Sequence, residues 1–136
     1  EAYTCLYRVW KNELLEERLR GLISIFEDKI LGTDGHLKLF FDDDWNCNYD
    51  IFSYGHDIEA SWLIHEAALV LGDPEVLKRI EKIVPHIAEA ASEGFTPEGG
   101  MIYERVGEEI DRDRHWWVQA VIRVLFMLFV FNVVIA

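Results

Sequence analysis

The residues with the clearest chemical potential lie in one segment, SYGHDIEASW, at positions 53–62. Histidine is the residue type best suited to giving and accepting a proton near neutral pH, which makes His56 a candidate acid–base group. Glu59 and Trp62 follow at three-residue steps, so a helix beginning here would carry all three on one broad side. A carboxylate one turn away can orient an imidazole, and an indole offers a flat surface for a sugar ring. The alternative is a capped helix start in which His56 only bonds to the loop.

A second cluster, HWWVQA at 115–120, lies where a long loop enters a helix. Neighbouring side chains on a helix point about 100° apart, so only one of Trp116 and Trp117 can face a given pocket. Packing in the core is the competing interpretation of these indoles. We expect the remaining mid-chain histidines, His36, His65 and His86, to be ordinary structural or surface residues.

Composition narrows the classes of partner. The formal net charge is −12 and the pI is near 4.7, which argues against nucleic acid or an anionic membrane surface. Consecutive carboxylates do not converge easily on one ion, so the run Asp42–Asp44 is expected to be a solvated turn, and we expect no metal and no cofactor.

Cys5 and Cys47 have neither zinc-site spacing nor a disulfide framework. They indicate a reducing, cytoplasmic compartment and are expected to be small, partly buried side chains.

The helical periodicity predicts an all-α architecture. Its helices form hairpins joined by long loops that carry short β-hairpins. The 136 residues suggest one domain or a piece of a larger one. Asn12 is expected to cap the second helix and Pro74 to open the fourth. The predicted helices cover about 1–12, 12–31, 56–71, 74–93 and a stretch from 115. A short β-like run is expected near 36–41 and a strand pair near 101–106.

The C-terminal stretch 121–136, VIRVLFMLFVFNVVIA, is almost wholly apolar. Only 13 residues follow Arg123, fewer than the roughly 20 that a membrane-spanning helix needs. A helix buried in a helical barrel usually keeps a polar stripe along one side, and this segment has none. We therefore treat it as a tail distinct from the rest of the chain and do not expect a membrane partner.

Five blocks resemble the cellobiose 2-epimerase branch of the N-acylglucosamine 2-epimerase superfamily. They are EAYTCLYRVW, HLKLFFDDDW, SYGHDIEASWLIHEAALVLGD, GG-MIYER and RHWWVQA, and they cover about residues 1–120. The resemblance implies a partial (α/α)6 barrel. It also implies C2 epimerisation of the reducing-end glucose or mannose unit of β-1,4-linked disaccharides such as cellobiose, through ring opening and an enediolate, without metal or nucleotide.

The resemblance also implies roles for particular side chains. His56 resembles one of two facing acid–base histidines and Glu59 its carboxylate partner, while Trp62 and Trp117 resemble aromatic residues that bind the sugar. The second histidine of the pattern would lie further downstream than these blocks. A glutamate of the pattern would fall at Val121.

These matches and departures predict two regions. Residues 1–120 are expected to be the central part of an α/α-barrel epimerase domain, and residues 121–136 a tail that departs from the family pattern. As an internal fragment, the isolated chain is expected to be inactive and to self-associate through exposed apolar faces, with a disaccharide or monosaccharide as its small-molecule partner. The alternative is a non-catalytic remnant or a weak sugar-binding module.

Overall fold

A computed structural model describes residues 1–123 and shows a helical chain with one small sheet. The helices are α1 (Ala2–Val9), α2 (Glu13–Ile25), α3 (Tyr54–Leu71) and α4 (Pro74–Ser92), and α2 continues into a π-helical turn, Phe26–Ile30. The strands are β1 (Ile51–Ser53), β2 (Glu104–Val106) and β3 (Glu109–Asp111). Residues 116–123 are again helical. Residues 124–136, most of the predicted tail, lie outside this description, and none of the described helices is long and apolar enough to cross a bilayer.

The helix boundaries follow local signals in the sequence. The Asn12 side chain accepts a hydrogen bond from the Leu15 amide at 3.2 Å, which caps α2 as predicted. The Asp73 side chain accepts from the amides of Glu75 and Val76, and Pro74 occupies the first turn of α4. Gly72 ends α3 with a φ of +77°, a left-handed conformation that favours glycine.

The sheet differs from the sequence prediction. The run at 36–41 is not a strand, because only Leu37 pairs there, in an isolated bridge with Leu31. Instead β1 pairs antiparallel with β2, and β2 with β3, so Ser53 lies opposite Glu104. The strand pair predicted near 101–106 corresponds to the β2–β3 hairpin, which extends a few residues further along the chain, whereas the pairing of β2 with β1 was not predicted. Strands of three residues are too short to show alternation, and the β1–β2 pairing joins segments distant in sequence.

Two apolar clusters hold the helices together. The larger one lies among α2, α3 and α4 and includes Leu19, Ile23, Ala68, Ile80 and Ile87. The smaller one joins the start of α3 to the end of α4, to the chain just before β2 and to the last helical segment. It consists of Tyr54, Ala91, Met101, Ile102 and Val118, with Trp117 packed against it. The smaller cluster therefore brings the two chemically interesting segments, 53–62 and 115–120, to one place.

Helix α1 buries less of its apolar face than its periodicity predicts. Thr4 and Tyr7 are buried, whereas Tyr3, Leu6 and Trp10 are exposed. An apolar groove of about 460 Å³ runs between α1, α2 and α3. Cys5 is exposed on this helix, so the expectation of a partly buried thiol was wrong there, because the helix packs through the side that carries Thr4 and Tyr7.

Candidate acid–base site at the start of helix α3

The site is organised around Ser53, the last residue of β1 and the residue before α3. Its side chain caps no helix amide. Its buried Oγ instead lies 2.7 Å from Nδ1 of His56, one turn into the helix. The His56 side chain is exposed, and within the described residues its Nε2 forms no hydrogen bond. One ring nitrogen is therefore fixed by the protein while the other faces outward and can meet a ligand.

Trp117 lies beside this imidazole. The centroids of the two rings are 5.0 Å apart and their planes are tilted by 51°. Trp117 is half-buried against the smaller cluster, whereas Trp116 is 81% exposed. The structure thus brings His56 and Trp117 together and turns the neighbouring indole away, as expected for adjacent positions on a helix.

Glu59 and Trp62 are half-buried on α3. Within residues 1–123, neither the Glu59 carboxylate nor the Trp62 indole makes a hydrogen bond, ion pair or ring contact with His56. Each three-residue step leaves a helical side chain about 60° short of a full turn, so the second step already diverges strongly. Ser53, not Glu59, holds the imidazole, and the three-residue spacing from Ser53 to His56 was the signal that sequence reasoning passed over.

A buried pair lies behind the site. Nδ1 of His36 is 2.7 Å from Oδ2 of Asp57, and the Leu37 amide donates to Oδ1 of the same carboxylate at 2.9 Å. Burial raises the pKa of the Asp57 carboxyl above its ordinary value, although the hydrogen bond from His36 opposes this change. The expectation that His36 is a structural residue agrees with its burial, but its partnership with Asp57 had no signature in the sequence.

The Gln119 side chain forms hydrogen bonds between the last helical segment and the chain before β2. The Gln119 amide accepts a hydrogen bond from the Met101 N–H at 3.1 Å and donates to the Met101 carbonyl at 2.7 Å. Tyr103 and His115 stack nearby, with centroids 3.9 Å apart. Val121, where the pattern would place a glutamate, is half-buried on this same segment.

Asp111, Asp113 and His115 approach within 4.8 Å of one another near the end of β3. The carboxylates are exposed, Asp111 accepts from the Asp113 amide, and the His115 ring is engaged with Tyr103. We assign no metal to this group, because exposed acidic side chains commonly gather at a turn without an ion.

Comparison with known proteins gives a consistent result. The sequence model of the N-acylglucosamine 2-epimerase (GlcNAc 2-epimerase) family matches residues 1–128. The cellobiose 2-epimerase of Bacteroides fragilis is 59% identical over 123 residues, which are 88% of this chain and 31% of that protein. The cellobiose 2-epimerase of Dictyoglomus turgidum is 39% identical over 121 residues, with the same coverage.

Solved structures match equally well. A sugar epimerase from a ruminal bacterium has a TM-score of 0.89 at 38% identity, and the match covers 95% of this chain and 33% of that one. The cellobiose 2-epimerase of Bacillus thermoamylovorans has a TM-score of 0.88 at 38% identity, covering 96% and 34%. The chain therefore spans about a third of the length of these relatives. Its architecture is that of part of an (α/α)6 barrel, which confirms the predicted fold class.

Proposed function

Since the chain belongs to the N-acylglucosamine 2-epimerase family, we propose that it carries one acid–base half of a sugar 2-epimerase site. The observation that supports this most directly is the exposed His56 imidazole, held at Nδ1 by Ser53 and placed against Trp117. The proposed substrate is a β-1,4-linked disaccharide with glucose or mannose at its reducing end. Relatives described as cellobiose 2-epimerases support that choice.

The geometry suits Nε2 of His56 as the atom that moves the proton. When Nδ1 carries a hydrogen, it donates to the Ser53 hydroxyl, and Nε2 keeps a lone pair for the proton on C2 of the open-chain sugar. The electrons of the broken C–H bond move toward the C1 carbonyl and give an enediolate. The imidazolium that results still donates from Nδ1 to Ser53, so the ring keeps its orientation in both protonation states.

Inversion at C2 also requires a proton donor on the opposite face of the enediolate. The resemblance implies a second histidine for this task, downstream of the blocks in this chain. Glu59 enters the proposal as the carboxylate that stabilises the His56 imidazolium electrostatically, since no direct bond joins the two side chains. Trp117 and Trp62 are proposed to contact the apolar face of the sugar.

A hybrid enzyme tests the proposal. Residues 1–120 of this chain replace the matching residues of the Bacteroides fragilis enzyme, and C2 epimerisation of cellobiose is followed by NMR in D2O. We expect the hybrid to be active and the His56→Asn variant to lose at least about 100-fold in rate, the usual scale of a lost acid–base group. His65→Asn, on the same helix, is the matched control and should keep its rate. A folded hybrid without activity, or an active His56→Asn variant, would overturn the proposal.

The same hybrid tests the proposed boundary after residue 120. Extending the replacement by one position puts Val121 where the family pattern has a glutamate. We expect this one-residue extension to lower the rate of epimerisation while leaving the helical content of the hybrid unchanged. Equal rates for the two hybrids would mean that the departure from the pattern begins later. The 136-residue chain alone is expected to give no turnover.

A second function, weak sugar binding without catalysis, is favoured by one observation. Part of the Trp117 indole remains accessible beside a polar imidazole, which is the arrangement that a stacked pyranose ring needs. Binding of cellobiose by the isolated chain, together with an inactive hybrid, would favour this function over the first.

A further inference from the structure

The pair His36–Asp57 is buried to an extent unusual for ionisable side chains. His36 is 3% exposed and Asp57 is fully buried. Asp57 directly follows His56 in α3 and uses both carboxylate oxygens, one toward His36 Nδ1 and one toward the Leu37 amide. These two bonds attach the first turn of α3 to the segment that follows the π-helical turn.

His36 also contacts the residues on both sides of Ser53. Its ring stacks on Phe52 with centroids 4.1 Å apart and planes within 13°. It meets the edge of Tyr54 at 5.9 Å. Ser53 lies between these two aromatic residues and holds His56 Nδ1 at 2.7 Å. A continuous set of contacts therefore runs from Asp57 through His36 and Phe52 to the serine that fixes the imidazole.

The energetics favour a role in orientation. A buried ionisable pair costs desolvation, and replacing such a pair by apolar groups is often neutral or stabilising. Phe52 and Tyr54 beside His36 could pack against a leucine or phenylalanine. The exposed Glu93 carboxylate, 3.5 Å from His36 Nε2, would remain accessible to water after such a replacement. What an apolar replacement could not supply is the pair of directional bonds to Asp57, which set where the first turn of α3 lies relative to β1.

We propose that His36 and Asp57 are positioning residues for His56, acting through Phe52 and Ser53 to fix the orientation of its imidazole against Trp117. The mechanistic value of this positioning rests on the proposed function, because a misplaced group costs rate only where His56 transfers a proton. The positioning itself is a property of the folded chain and can be measured without any substrate.

The test uses the 136-residue chain labelled with ¹⁵N and ¹³C at histidine. Because the Trp117 ring lies 5.0 Å from the His56 ring, we expect it to displace the Hε1 resonance of His56. We also expect the Ser53 contact to set the ¹⁵N shifts of the two ring nitrogens. We expect His36→Gln and Asp57→Asn to move these His56 signals toward the values of a free imidazole while circular dichroism stays helical. His65→Gln, a half-buried histidine further along α3, is the matched control and should leave them unchanged.

Phe52→Leu keeps the buried pair but removes the ring on which His36 stacks, and it covers the case in which His36→Gln does not fold. Folded variants with unchanged His56 signals would overturn the positioning role. In the hybrid enzyme, the same variants should lower kcat roughly 10- to 100-fold with little change in KM. An inactive hybrid together with the expected NMR changes would count against the proposed function and not against the positioning pair.

Discussion

Gly55 and Trp117 lie so close together that position 55 has no room for a side chain. A Cβ at position 55 would stand 2.8 Å from Cη2 of the Trp117 indole and 2.6 Å from Cγ2 of Val118. Real Cβ atoms essentially never come that near to another atom. The missing side chain therefore lets Trp117 reach the first turn of α3, where it meets His56.

Replacing Gly55 with alanine should push Trp117 away from His56. We expect a loss of about 1–3 kcal/mol in the free energy of unfolding, the usual cost of overpacking. The Hε1 resonance of His56 should also lose its displacement by the indole. Gly21→Ala is the matched control, because a Cβ there meets nothing within 4 Å. In a helix interior this control should stabilise the chain by roughly 0.5–1 kcal/mol. Equal unfolding energies for the two variants would contradict the close contact.

Gln119 should stabilise the position of the last helical segment, which carries Trp117, against the chain before β2. Substituting methionine removes both hydrogen bonds to the backbone of Met101, which is fully buried. Losing the partners of buried polar groups costs about 1–3 kcal/mol, measurable by urea unfolding. Gln119→Glu keeps an acceptor for the Met101 N–H but turns a carboxylate oxygen toward the Met101 carbonyl, which loses its donor, so this variant should also be destabilised. A methionine variant as stable as the parent would show that these bonds are not needed.

The helix boundaries could be predicted from the sequence, whereas the pairing of β1 with β2 could not. Asn12, Gly72 and Asp73 act within a few residues of where they stand, so their effect is visible locally. The pairing of β1 with β2 depends on segments that only the packing of α3 and α4 brings together. No local pattern predicts such a contact.

The candidate site likewise contains features that the sequence predicts and features that it does not. The candidacy of His56 follows from its residue type and its place at a helix start, and its closeness to Trp117 was implied by the family resemblance. The pair His36–Asp57 depends on tertiary packing, and its residue types alone are common. The bond from Ser53 to His56 is local, and only its three-residue spacing points to it. The role of Glu59 as a carboxylate partner of His56 stays a prediction, because no direct bond joins them and spacing along a helix sets a direction and not a contact.

The unfolding energy should respond to pH through Asp57. Burial raises the pKa of this carboxyl in the folded chain, so the folded state holds its proton to higher pH than the unfolded state. The stabilising contribution is complete below the unfolded pKa, near 3.8, and is lost as pH rises through the folded pKa. Relative to Asp57→Asn, the parent should therefore lose stability in urea unfolding as the pH rises above about 4.

Asp73 supplies a control of opposite sign. The hydrogen bond from Arg20 lowers the pKa of its carboxyl, together with the bonds from the Val76 and Glu75 amides. Its contribution is present above the unfolded pKa and is lost as pH falls through the folded pKa. The parent should thus gain stability relative to Asp73→Asn as pH rises from about 2 to 5. If the two stability differences, parent against Asp57→Asn and parent against Asp73→Asn, changed with pH in the same direction, the raised pKa of Asp57 would be refuted.

Sugar binding by the isolated chain should depend on Trp117 and not on Trp116. A pyranose ring stacked on an aromatic face gains roughly 0.5–1.5 kcal/mol, so Trp117→Phe should weaken binding by about 2- to 10-fold. Trp116 is 81% exposed and makes no ring contact within residues 1–123, which makes Trp116→Phe the matched control. Titration of tryptophan fluorescence with cellobiose, mannose and N-acetylglucosamine measures both variants. If both substitutions weakened sugar binding equally, or if neither changed it, the sugar would bind away from His56.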